Sequence, residues 1–199
     1  KTGLSSFGFR VVNSDDAFEN AMKKAGMEMN PDNIFSIKGQ ELRGKATKLT
    51  AAKQEMYLKG RLGIVIDGTG KDSDKIKQQR AKLEKMGYDT AIIIVNTNLA
   101  SAVDRDTKRQ RSIGKKMLEP MWQAVQDNIG AYQQMFGQEN TFIVDNSDVD
   151  GVTDKKEILK LIDKKTMAAY KGIGAWSKKP VKDSRAKKWI KSELNNKTR

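Results

Sequence analysis

The chain has no cysteine and no histidine in its 199 residues. The first absence removes a disulfide framework and any thiolate zinc site. The second removes Ser-His-Asp chemistry and imidazole-ligated metals. Proton transfer must then fall to carboxylates, and a bound metal must be a hard cation on oxygen ligands. No run approaches 18 uncharged apolar residues, so no membrane span and no membrane partner are expected. The opening KTGLSSFGF lacks the charged n-region and long apolar h-region of a secretory signal. The expected location is therefore the cytoplasm.

Charge is plentiful but uneven. The formal net charge is +13. Residues 164–199 hold 12 basic and 2 acidic side chains, whereas the rest of the chain holds 26 and 23. The body is nearly neutral and the C-terminal stretch is cationic, which favours anionic partners at long range.

Four short runs rich in Val and Ile stand out: FRVVN (9–13), LGIVIDG (62–68), TAIIIVN (90–96) and NTFIVDN (140–146). Continuous apolar runs, rather than alternating ones, predict strands of a parallel sheet buried on both faces. The stretches between them, 16–29, 44–59 and 71–86, have helical spacing, and the last closes on Gly87 as a cap. Alternating strands and helices predict an α/β fold. A further amphipathic helix is expected over 153–170, with Ile158, Leu161 and Ile162 facing the body. The pattern dissolves beyond Gly172 and Gly174 into a tail with a short helix around 186–194. The segment 30–45, with Pro31, Gly39 and Gly44, reads as a loop or mobile insertion. Met117, Met121, Trp122, Tyr132, Met135 and Phe136 read as core of one helix, kinked or broken at Pro120. The organisation expected is a domain over 1–171 followed by a basic tail over 172–199.

In a parallel sheet, ligands bind at the carboxyl ends of the strands. Three such ends carry polar groups: Asn13-Ser14-Asp15-Asp16, Asp67-Gly68-Thr69-Gly70 and Asn96-Thr97-Asn98. Each taken alone fits a helix N-cap, but three converging on one sheet edge point to a site. After the third strand comes ASAVDRDTKRQRSIGKKM. Arg105 and Arg109 are four apart, so on a helix they share a face, and Arg111 follows. A solvated basic face is the plain alternative. Arginine at all three positions, in a chain whose commoner base is lysine, favours phosphate recognition through the planar guanidinium fork.

VVNSDD, then IVIDGTG, then a strand, a helix and R-x-x-x-R resemble the P-loop kinases of the zeta-toxin and polynucleotide-kinase group over roughly residues 5–150. The resemblance implies a three-layer α/β P-loop kinase fold with strand order 2-3-1-4-5 and an Arg-bearing lid, the four strands here being the second to fifth. It implies ATP-dependent phosphoryl transfer, with ATP and Mg²⁺ as cofactors, to a hydroxyl of a nucleotide, nucleotide sugar or polynucleotide 5′ end. Asp15 matches the general base and Asp16 a helix cap or substrate contact, two roles the pair can exchange. Asp67 matches the carboxylate that holds Mg²⁺ or orients the acceptor, and Thr69 a substrate-binding hydroxyl. Arg105 and Arg109 match the arginines that grip the transferring phosphate, with Arg111 a further cofactor contact. Proteins of this type are frequent in bacteriophages.

No G-x-x-x-x-G-K-[ST] occurs in the 199 residues. Lys1-Thr2 does not read as the end of one, because the helix after a phosphate loop needs roughly 11 residues, three turns, and only GLSSFG precedes FRVV. The expectation is that the loop and the first strand lie upstream, and the enzymatic reading is conditional on them. The alternative is a non-catalytic kinase-like protein that binds nucleic acid or virion proteins through 172–199. That tail, with Trp176 and Trp189, either contacts nucleic acid or packs its indoles on the body.

Overall fold

The computed structural model describes residues 4–109, 112–147 and 155–197. Each apolar run becomes a strand: β1 (Arg10–Val12), β2 (Ile64–Ile66), β3 (Ile92–Asn96) and β4 (Thr141–Asp145). Both observed pairings are parallel, β1 with β2 and β3 with β4. These are the adjacencies expected of second with third and of fourth with fifth strands. The single sheet itself is not seen. Among the described residues the strands form two two-stranded sheets, and no pairing joins β2 to β3. In the expected order a further strand stands between those two.

The chain divides into two compact units, each made of two segments. The first comprises Lys1–Thr69 with Leu99–Pro120. Besides β1 and β2 it holds α1 (Asp15–Lys24), α2 (Pro31–Phe35), α3 (Ile37–Lys59), α5 (Leu99–Thr107) and the first residues of α6 (Lys115–Phe136). Its core joins Phe18 and Met22 of α1 to Ile34 of α2 and Ala46 of α3. The Arg43 guanidinium lies 4.2 Å from the centre of the Phe18 ring. The segment 30–45 is helical, not a loop. Asn30 accepts the Asn33 N–H to start α2, with Pro31 in the first turn, and Ser36 accepts the Gly39 N–H to start α3. Gly39 is not a breaker either. A β-carbon there would fall 2.0 Å from the Asn33 carbonyl oxygen, so the glycine is what lets α3 pass that close to α2. α1 is shorter than expected and stops before Gly26, whose φ is +66°.

The second unit comprises Gly70–Asn98 with Met121–Arg199. It holds α4 (Ser73–Lys85), β3, β4, most of α6, α7 (Lys155–Ser177) and α8 (Ser184–Lys197). α4 starts on the Asp72 side chain and is followed by Gly87 at φ +90°, which agrees with the expected cap. Tyr132, Phe136, Ile94, Val144 and Ile173 are buried. α7 runs past Gly172 and Gly174, because Gly172 gives room to the Phe142 ring of β4. The expected boundary at 171–172 therefore falls inside a helix. The side chains of Ile158, Leu161 and Ile162 lie outside the described residues. α6 continues through Pro120 unbroken, and Met117 is exposed rather than in the core. The terminal helix exists and is longer than expected. Asp183 caps it, with its carboxyl held down to about 2 by the Arg185 guanidinium and the Ala186 amide. The Lys182 N–H donates to the Asp89 carboxylate and the Arg185 guanidinium to the Lys85 carbonyl, which fastens its start to the end of α4 and the turn after it.

Candidate active site

All the acids and arginines picked out in the sequence fall in the first unit, except that Arg111 lies outside the described residues. Parallel pairing of β1 with β2 brings their carboxyl ends side by side, and one side chain joins them. Asn13 donates from Nδ2 to Asp67 Oδ2 at 2.7 Å and accepts the Asp15 N–H on Oδ1, also at 2.7 Å. It therefore does two jobs. It starts α1, a role expected of Asp16, while Ser14 at the cap position makes no side-chain bond. It also turns the Asp67 carboxylate so that one oxygen is engaged and the other makes no hydrogen bond among the described residues. Asp15 is half-buried, whereas Asp16, Asp67 and Thr69 are exposed.

Arg105 lies in the last turn of α5 and is half-buried. Arg109 does not share a helical face with it, because α5 stops at Thr107. The chain instead turns, with the Arg109 N–H donating to the Asp106 carbonyl and the Arg109 carbonyl accepting the Ser112 N–H. The Arg109 side chain is exposed. Between the two arginines, Asp106 is 6 % exposed and accepts from Ser112 Oγ at 2.7 Å, Gly114 N–H at 2.9 Å and Ile113 N–H at 3.1 Å. Burial pushes this carboxyl up. The bonds from Ser112, Gly114 and Ile113, with the Arg109 charge, together outweigh it and hold the group below its ordinary 3.8.

The third polar strand end belongs to the second unit and is spent on structure. Asn96 Oδ1 accepts the Thr97 N–H and Gln126 Nε2, and the Thr97 carbonyl accepts the Trp122 indole N–H at 2.7 Å. In the same unit Tyr132 is buried and donates to the Gly70 carbonyl at 2.6 Å, so the residue after Thr69 is held. Sequence reasoning missed Asn13 and Asp106 as organising groups. Their signals were present: an Asx residue two before a helix start, and an acid set inside an arginine run.

The sequence model of the zeta toxin family matches residues 38–165. That is more than half of the chain, and the chain belongs to the zeta toxin family. The family is P-loop kinase-like, performs nucleotide phosphotransfer and generally uses ATP and Mg²⁺. No curated protein and no solved structure matches the chain. The matched span contains Asp67, Thr69, Arg105, Arg109 and Arg111. Asp15 and Asp16 lie before it.

Among the described residues no three acids cluster in a way that holds a metal ion. A kinase-type Mg²⁺ does not need such a cluster, since it is held by one or two carboxylates together with substrate phosphates and water. Asp67, exposed and with one oxygen uncommitted, fits that requirement. The ion would neutralise charge on the transferring phosphate. No helix in the described residues is long and apolar enough to cross a membrane.

Proposed function

We propose that this protein transfers the γ-phosphoryl group of ATP to a hydroxyl of a nucleotide, nucleotide sugar or polynucleotide 5′ end. Asp15 takes the proton from the acceptor hydroxyl. Asp67 orients the acceptor or the Mg²⁺ that accompanies ATP, and Thr69 and Asp16 contact the acceptor. Arg105, Arg109 and Arg111 neutralise the phosphate oxygens. Phosphoryl transfer asks for positioning and charge rather than covalent help, so a site with no histidine or cysteine suffices. The observation that carries this reading is the Asn13 bridge, which sets Asp15 and Asp67 at one end of a parallel strand pair within the unit that also holds the arginines.

The test is γ-phosphoryl transfer from labelled ATP to acceptors of the three classes, using the protein purified from its native source. Removing a general base costs about 10²- to 10⁴-fold. Asp15→Asn is therefore expected to lower kcat by about that factor with little change in KM for ATP. A wild type that labels none of the acceptors overturns the reading.

A second reading rests on α8. Lys187, Lys188 and Lys191 are exposed and their ammonium groups make no ion pair or hydrogen bond among the described residues, while the first turn of the helix is fastened to α4. Such a face suits the phosphates of a nucleic acid, either as the acceptor or in place of catalysis. Salt-dependent binding of single-stranded DNA that is lost when Lys187, Lys188 and Lys191 are changed to Gln supports it, and salt-independent binding sinks it. Where catalysis is absent, this protein would be a kinase-like scaffold, of phage or other origin, that binds nucleic acid or virion proteins.

A further inference from the structure

The chain spends a buried carboxylate on a surface turn, and that expense calls for a reason. Asp106 follows Arg105 directly and precedes Arg109 by three residues. Its side chain makes three contacts within 3.1 Å, all to Ser112, Ile113 and Gly114 just before α6. Its carbonyl takes the N–H of Arg109. The Ser112 N–H, on a residue held by the same carboxylate, donates to the carbonyl of Arg109. The backbone of Arg109 is thus fixed at both its polar atoms by groups that Asp106 organises. Gly114, at φ +77°, takes the left-handed conformation that leads the chain from these amides into α6.

We infer that Asp106 is the positioning residue of Arg109, tying the end of α5 to the start of α6 so that an exposed guanidinium is presented from a fixed backbone. This rests on the proposed phosphate-gripping role of Arg109 and names what makes that role geometrically possible. An exposed arginine on a free turn loses entropy each time it grips a phosphate, and pre-organisation removes much of that cost. Aspartate suits the position better than asparagine. Ser112 Oγ, Gly114 N–H and Ile113 N–H all donate to one carboxylate oxygen, and Ile113 also reaches the other at 3.3 Å. An amide would turn an NH₂ group toward these donors or offer them one weaker acceptor.

Two measurements on the full-length protein decide it. The first is amide hydrogen exchange in wild type and Asp106→Asn. Exchange at Arg109 and at Ser112–Gly114 is expected to quicken at least tenfold, while amides of α1 and α3 keep their protection and report an intact fold. Unchanged exchange at Arg109 overturns the inference, whatever the activity. The second is a double-mutant cycle on phosphoryl transfer with Arg109→Ala. A misplacement on the ångström scale costs up to about 100-fold, so Asp106→Asn is expected to lower kcat about 10- to 100-fold alone and to add nothing in the Arg109→Ala background. Additive losses mean that Asp106 serves the fold and not Arg109, and the inference falls. A wild type without transfer overturns the kinase reading, and the exchange at Arg109 then settles Asp106 by itself.

Discussion

Asn13 is one amide that serves two carboxylate-bearing residues, and its replacement separates the two services. Asn13→Ala removes both the bond to Asp67 and the start of α1, and is expected to cost about 1 kcal/mol in urea unfolding, the size of one helix cap. Asn13→Asp keeps an acceptor for the Asp15 N–H but sets a second carboxylate against Asp67. It should be the worse variant at neutral pH and recover in acid, where the two carboxyls share a proton. Equal deficits at all pH values would mean that the Asp67 contact contributes nothing. Asp106 makes a separate pH prediction. Its folded carboxyl titrates below the 3.8 it has when unfolded. Its contribution is therefore complete above 3.8 and fades as pH falls through the lower, folded value. The Ile113 and Gly114 amide shifts should stay constant from pH 7 to about 4 and move only in stronger acid, a window set by the ordinary carboxylate value. A midpoint above 3.8 would contradict the contact. The sequence made acids and arginines legible because their chemistry travels with the side chain. Asn13 and Asp106 left local signals, but their roles depend on partners that only the folded chain brings to them, the Asp67 carboxylate and the amides of the turns.

α3 carries two glycines whose meanings are opposite. At Gly39 an added β-carbon meets the Asn33 and Ile34 carbonyl oxygens at 2.0 and 2.7 Å, whereas at Gly44 nothing lies within 4 Å. Gly44→Ala should stabilise the helix by up to about 1 kcal/mol, the propensity difference. Gly39→Ala, with the same propensity gain, should destabilise by about 1–3 kcal/mol, as overpacking does. Urea midpoints of the two variants, moving in opposite directions, would check both. The same pair explains why 30–45 looked like a loop. Two glycines and a proline read as breakers, but Asn30 and Ser36 cap the helices and a close crossing demands Gly39. Strands were easier to see. Their continuous Val and Ile runs read as strands without knowledge of neighbours, but the expected burial on both faces is not observed, since Val11, Val95 and Ile143 are exposed. What joins strand pairs into a sheet is not written in any one strand, and that part of the expected architecture is not observed.

Charge acts on the scale of the whole molecule. The C-terminal surplus was legible as composition, but its arrangement as a helix fastened at one end was only partly so, since the Asp183 cap and the contacts to Lys85 and Asp89 lie far apart in the chain. If α8 meets a single strand, each phosphate contact contributes about 0.7 to the slope of log K against log salt, so replacing Lys187, Lys188 and Lys191 with Gln should lower the slope by about 2. An unchanged slope would place the nucleic-acid contact elsewhere or nowhere.

The chain passes between its two units at 69–70, 98–99 and 120–121. Neither unit is a continuous stretch, and this has a consequence in time. During synthesis the strand ends bearing Asp15 and Asp67 emerge first, but their unit is still incomplete. The whole of α4 and β3, which belong to the other unit, must leave the ribosome before α5 arrives with Arg105 and Arg109. At about 5–20 residues per second this is a wait of several seconds. Over that interval the nascent chain carries the carboxylates without the arginines, and the helix that completes their unit is the last of its parts to be made.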